Sequence, residues 1–126
     1  MDQRILIIDG HPVYASETIE FLLGLTFENI QLAKTGKQGI DDARNKKPDL
    51  VILSSMLPDM DSLEVCEAIH ELTNGSTKII VQIGLFMEVG TIHKFTDYGA
   101  DAVLTRKEKD LRPLQKAIEK LLFSKV

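Results

Sequence analysis

Residues able to do chemistry stand at the ends of apolar runs in this chain. Asp9 and Gly10 follow Ile5-Leu6-Ile7-Ile8, Ser54 and Ser55 follow Leu50-Val51-Ile52-Leu53, and Arg106 and Lys107 stand just past Ala102-Val103-Leu104. A carboxylate such as Asp9 can ligate a hard cation. Magnesium, however, dehydrates reluctantly and usually relies on more than one acidic ligand or on a substrate phosphate. The structural alternatives for Asp9 are a turn acceptor or an ion pair with Arg106 or Lys107. A serine hydroxyl stays protonated at neutral pH and is no nucleophile without a dedicated base, so the default for Ser54 is a hydrogen bond to local backbone. Arg106 can hold an anion by its planar fork, or serve as a structural partner for Asp9.

The other reactive side chains do not gather. His11, His70 and His93 lie in different elements and share no ligand spacing, which makes them surface residues. Cys66 is the single cysteine, so an internal disulfide and a multi-cysteine metal site are both excluded. It sits in a helical apolar stripe and reads as core. Gly36-x-x-Gly39 is too short for a phosphate-binding loop, and no Gly-rich fingerprint follows the first apolar run, so nucleotide binding has little support.

The elements that must position these residues follow from periodicity. Leu50–Leu53, bounded by Pro48 and Pro58, is a continuous apolar run that fits a strand buried on both faces of a parallel sheet. Ile5–Ile8 is a second such strand, with shorter ones at Ile30–Ala33, Lys78–Ile83 and Ala102–Leu104. Between them run helices. The first begins at Pro12, carries Val13, Ile19, Phe21, Leu22 and Leu23, and ends near Gly24. The second turns Ile40 and Ala43 inward, with Lys46-Lys47 favouring the negative pole of its dipole. The third spans about Ser62 to Leu72, capped by Asp61 or Ser62, with Val65, Cys66, Ile69 and Leu72 buried. A weaker helix covers Val89 to Tyr98 and is closed by Gly99 as a left-handed cap. A last amphipathic helix spans Leu111 to Phe123. Five strands alternating with five helices on short loops demand a parallel sheet with helices on both faces. The common order for this size is 2-1-3-4-5, and ligands of such sheets bind beyond the carboxyl ends of the strands. That crevice brings Asp9 and Gly10 next to Ser54.

Composition bounds the class. The 126 residues suit one domain, 1–126, which buries roughly 65–70% of its unfolded surface. With 27% charged and 44% hydrophobic residues the chain is a folded globular protein, and a net charge of −4 argues against a nonspecific binder of nucleic acid or anionic membrane. The first residues lack the apolar core of a signal peptide and no run approaches membrane-spanning length, so the chain is read as cytoplasmic.

With these elements in place the chain resembles the receiver domains of two-component response regulators over nearly its whole length. The resemblance is carried by ILIID-x-HP at the first strand, PDLVIL…MLP-x-MD at the third and GADAVL at the fifth. It implies a flavodoxin-like, receiver-type α/β fold. It also implies a magnesium-dependent phosphorylation chemistry built from an acidic pair, an acceptor aspartate, a backbone carbonyl, a lysine and a Ser or Thr switch. Against that pattern Asp9 keeps one acidic position and Gly10 replaces the other, Ser54 stands at the acceptor, and Met56 supplies the carbonyl. Ile83 or Gly84 stands at the switch, Arg106 matches the lysine with Lys107 beside it, and Ser62 replaces a glycine.

The expectation is a degenerate receiver, a pseudo-receiver, that is not an enzyme and takes neither metal nor cofactor. It would act independently of phosphorylation as a protein–protein interaction or dimerisation module of a signalling pathway. Two alternatives stay open: unusual phosphotransfer through Asp59 or Asp61, or small-ligand binding in the same crevice. The resemblance points to an interaction face beside the fourth helix, fifth strand and last helix. Phe86, Met87, Val89 and Ile92 offer apolar contacts there, and Arg112, Lys116 and Lys120 a basic side.

Overall fold

The computed structural model describes residues 1–84, 87–106 and 110–124. Strands β1 (Arg4–Ile8), β2 (Asn29–Ala33), β3 (Leu50–Ser54), β4 (Lys78–Ile83) and β5 (Ala102–Thr105) form one parallel sheet in the order β2-β1-β3-β4-β5. Helices α1 (Pro12–Gly24), α2 (Gly36–Lys46), α3 (Ser62–Leu72), α4 (Val89–Asp97) and α5 (Arg112–Ile118) alternate with them. The register sets Ile8 beside Leu53, Ser54 beside Gln82 and Ile83 beside Thr105, so β1, β3 and β4 end together. This is the expected flavodoxin-like architecture.

The two faces of the sheet explain the unbroken apolar runs. Leu6, Ile8, Val51, Leu53, Ile79 and Val81 pack against Ala43 of α2, Val65, Cys66 and Ile69 of α3 and Phe95 of α4. On the other face Ile5, Ile7, Leu50, Ile52 and Ile80 meet Leu22 of α1, Phe27, and Leu114 and Ile118 of α5. Neighbouring residues of each central strand therefore enter opposite cores, and neither face tolerates polar alternation.

Some local readings change. In α1 only Ala15, Thr18 and Leu22 are buried, while Val13 and Leu23 are exposed. Adjacent helical residues point about 100° apart, so Leu22 and Leu23 do not share the inward face. The last helix does not run evenly to Phe123: after Ile118 it continues as a π-helical segment, Glu119–Phe123. Gly99 takes a positive φ of 109° after α4, as its capping role requires.

Candidate functional site

Asp9 is the first residue past β1. Its N–H donates to the Ala33 carbonyl, and its Oδ1 accepts from the His11 N–H at 2.9 Å, closing an Asx turn that leads into α1. Of the structural alternatives, the turn acceptor is the one formed. Burial leaves Asp9 6% exposed and raises its carboxyl pKa, partly offset by the His11 N–H bond and by the charges of His11 and Arg106. At Gly10 a β-carbon would stand 3.1 Å from both the Lys34 carbonyl oxygen and Pro58 Cδ. Any side chain there has to push into the loops on either side.

Ser54 ends β3 and turns back on the chain. Its hydroxyl accepts from the Met56 N–H at 3.2 Å and donates to the Met56 carbonyl at 3.3 Å. The Ser54 carbonyl in turn accepts from the Ser62 hydroxyl at 2.7 Å, and Ser62 is buried at the first position of α3. The substituted serine thus ties the strand end to the helix. Two nearby acids serve as caps. Asp59 accepts from the Gly36 and Lys37 N–H groups with its two oxygens, at 2.8 and 3.0 Å, across to the start of α2. These bonds to the charged form hold its carboxyl below the usual range. Asp61 is the N-cap of α3 and accepts from the Leu63 N–H.

Arg106, one residue past β5, does not close on Asp9. Its Nη1 donates to Thr18 Oγ1 at 3.1 Å, its Nη2 lies 3.5 Å from Glu17 Oε2, and its guanidinium sits 4.8 Å from the centre of the Tyr14 ring. The fork is turned onto α1 and braces β5 against it, with only 7% of the side chain exposed. Ile83 is the last residue of β4 and packs in the core, while Gly84 stands just beyond with open space where a side chain would go.

Together these residues line a crevice of about 540 Å³ at the strand ends, which brings Asp9, Gly10, Ser54, Met56, Ile83, Gly84 and Arg106 together as the topology requires. Tyr14 and Gln82 line it too, and sequence reasoning missed both, along with Glu17 and Thr18. Gln82 alone carried a local signal, a polar residue inside an otherwise apolar strand. Lys107 and Phe86 lie outside the described residues. Met87 and Ile92 pack partly on the core, Val89 is 67% exposed, and Arg112 pairs with Asp110 at 2.9 Å. Lys116 and Lys120 are exposed on the last helical stretch.

An open parallel sheet of this order with its crevice at the β1 and β3 ends defines a flavodoxin-like doubly wound fold. The model of the response regulator receiver domain family matches residues 5–119, and the chain belongs to that family. Response regulator ArlR of Staphylococcus epidermidis is 38% identical over 88 residues, 67% of this chain and 38% of that protein. DNA-binding response regulator MtrA of Mycolicibacterium smegmatis is 36% identical over 70 residues, 56% of this chain and 30% of that protein. The chain therefore spans well under half the length of these curated relatives. Among solved structures, a CheY-like receiver domain protein of Methanospirillum hungatei superposes with TM-score 0.83 at 29% identity, covering 96% of this chain and 94% of that one. A two-component response regulator of Clostridium difficile gives 0.86 at 26% identity, covering 96% of each.

The magnesium ion that the family resemblance implies does not fit the residues present. Among the described residues lining the crevice Asp9 is the one carboxylate, Gly10 and Ser54 bring none, and the Met56 carbonyl is already engaged by the Ser54 hydroxyl. Among the described residues, no group of three or more His, Cys, Asp or Glu could hold a metal ion.

Proposed function

We propose that this receiver domain works without phosphorylation, as a protein–protein interaction or dimerisation module in signal transduction or transcriptional regulation. The observation that carries this reading is the Ser54 turn. The residue at the acceptor position is a hydroxyl closed on the Met56 backbone, with no base within its hydrogen bonds. Support comes also from Gly10, where a second carboxylate would crowd Lys34 and Pro58. Arg106 is held on α1 rather than free to follow a phosphoryl group. Phosphotransfer through Asp59 or Asp61 is disfavoured, since each already caps a helix. The face proposed for the partner is the exposed Val89 with the basic Arg112, Lys116 and Lys120. The partner is a protein of the pathway or a second copy of this chain, and the domain makes no direct contact with nucleic acid or membrane. No helix among the described residues is long and apolar enough to cross a membrane.

The test is an amide-resolved NMR titration with magnesium and then beryllofluoride, which mimics an acyl phosphate. Flat spectra at millimolar magnesium are expected. Shifts at Asp9, Ser54 and Arg106 that spread to α4 would overturn the reading.

A further inference from the structure

The crevice at the ends of β1, β3 and β4 keeps the shape of a binding site after losing the groups for phosphate. Its volume of about 540 Å³ is in the range of small-molecule pockets. Its walls are Tyr14, Met56, Leu57, Pro58 and Ile83. Met56 is 78% exposed and Tyr14 40%, so large apolar surface is left uncovered at the mouth. The Ser54 turn holds the Met56 backbone by both its N–H and its carbonyl, which fixes where that side chain starts. A flexible thioether and a tyrosine ring that line the same crevice favour aromatic occupants.

The polar groups narrow the ligand further. Asp9 Oδ1 is taken by the His11 N–H; Oδ2 makes no hydrogen bond among the described residues and is not one of the fully buried atoms without a partner. It is an acceptor reachable from the crevice. The cation that would draw an anion, Arg106, is already engaged by Glu17, Thr18 and Tyr14. Among the described residues that line the crevice, an anion meets the Asp9 carboxylate and an Arg106 committed to α1, and His11 is turned onto Tyr14, whereas a neutral donor finds a match.

We infer that this crevice binds a small, neutral aromatic molecule bearing one hydroxyl or N–H donor, which packs on Tyr14 and Met56 and donates to Asp9. Such a ligand would take the place of phosphate as the input to the domain. The inference rests on the reading above that the crevice no longer takes magnesium and phosphate.

The experiment is an amide NMR titration with p-cresol, and with toluene as the analogue lacking the donor. It is run on the unmodified protein, on Asp9→Asn and on Met56→Ala, beside the magnesium–beryllofluoride titration. Saturable p-cresol shifts at Ser54, Met56, Gln82 and Gly84 are expected, with toluene about tenfold weaker. Asp9→Asn should erase that difference, and Met56→Ala, at an exposed site that folding does not need, should weaken both probes several-fold. Shifts that never saturate, that lie elsewhere, or that keep the p-cresol preference in Asp9→Asn overturn the inference. If magnesium and beryllofluoride are also silent in that case, the phosphorylation-independent reading stands while this one falls. A magnesium–beryllofluoride response overturns both.

Discussion

At the scale of single residues, Asp9 is an ionisable group kept where ionisation is unfavourable. Burial is the largest influence on its carboxyl and raises the folded-state pKa above the unfolded value of about 3.9. The folded protein then holds this proton to higher pH than the unfolded chain does. Stability consequently falls as pH rises between the two values, and the whole penalty is present above the folded one. Asp9→Asn keeps an acceptor for the His11 N–H and removes the charge. It is expected to be more stable than the unmodified protein in urea at pH 7, with the advantage vanishing once pH drops below the unfolded value. An advantage unchanged in acid would assign the effect to something other than the charge. Thr18 is the complementary case. It is fully buried, donates to the Tyr14 carbonyl and accepts from Arg106. Thr18→Val keeps the shape but removes an acceptor from a buried guanidinium, and should cost about 1–3 kcal/mol. Thr18→Ser should recover most of that loss, as read from urea midpoints.

At the scale of elements, α2 shows how closely a helix can be set on the sheet. A β-carbon at Gly39 would lie 2.5 Å from Ile8 Cδ1, and Ile8 is completely buried, so it has nowhere to retreat. Alanine would gain about 1 kcal/mol in helix propensity, but overpacking a filled core costs about 1–3 kcal/mol. Gly39→Ala is thus expected to lower the melting temperature. Gly90 in α4 has nothing within 4 Å of the place a methyl group would take, so Gly90→Ala should instead raise it slightly. The start of α2 depends on Asp59 from another loop. Because its pKa is lowered by the Gly36 and Lys37 N–H bonds, its contribution is present above the unfolded value and is lost as pH falls through the folded one. Asp59→Ala should speed amide exchange at Gly36 and Lys37 while leaving α3 protected. Equal exchange in both proteins would show that the cap contributes nothing.

For the whole molecule, Cys66 reports on global opening. The thiol lies between α3 and the end of α4, with Sγ 3.6 Å from the Tyr98 carbonyl oxygen, and burial, aided by Asp101 and Glu67, pushes its pKa up to about 12. Folded protein keeps the proton while an unfolded cysteine loses it from about pH 8.5. Stability should therefore decline above pH 8.5, with a limiting slope of about 1.4 kcal/mol per pH unit from this group. Cys66→Ala should lose that slope. In native buffer a thiol reagent should label Cys66 orders of magnitude more slowly than free cysteine, and in urea the rate should follow the global unfolding curve. Fast labelling without urea would mean that α3 and α4 part locally.

The sequence by itself determined the sheet, its strand order, the helices and the residue types at the strand ends. The elements follow from local pattern, in apolar runs of strand length, capping residues such as Asp61 and short loops, while the strand order is read as the common one for a sheet of this size. It also carried the absence of the acidic pair and the acceptor, since Gly10 and Ser54 are legible as residue types. The partners those residues choose belong to the tertiary structure. Arg106 and Thr18 stand 88 positions apart, and no periodicity says that the guanidinium turns to α1 rather than to Asp9. The same holds for Asp59 reaching 23 positions back to Gly36, and for Gly39 being glycine because Ile8 lies against it. Val13 and Leu23 are apolar yet exposed because only one stripe of α1 meets the sheet. Hydrophobic pattern is a property of neighbours in the chain; a hydrogen bond or a close contact is a property of distance in space, and only packing the helices on the sheet sets that distance.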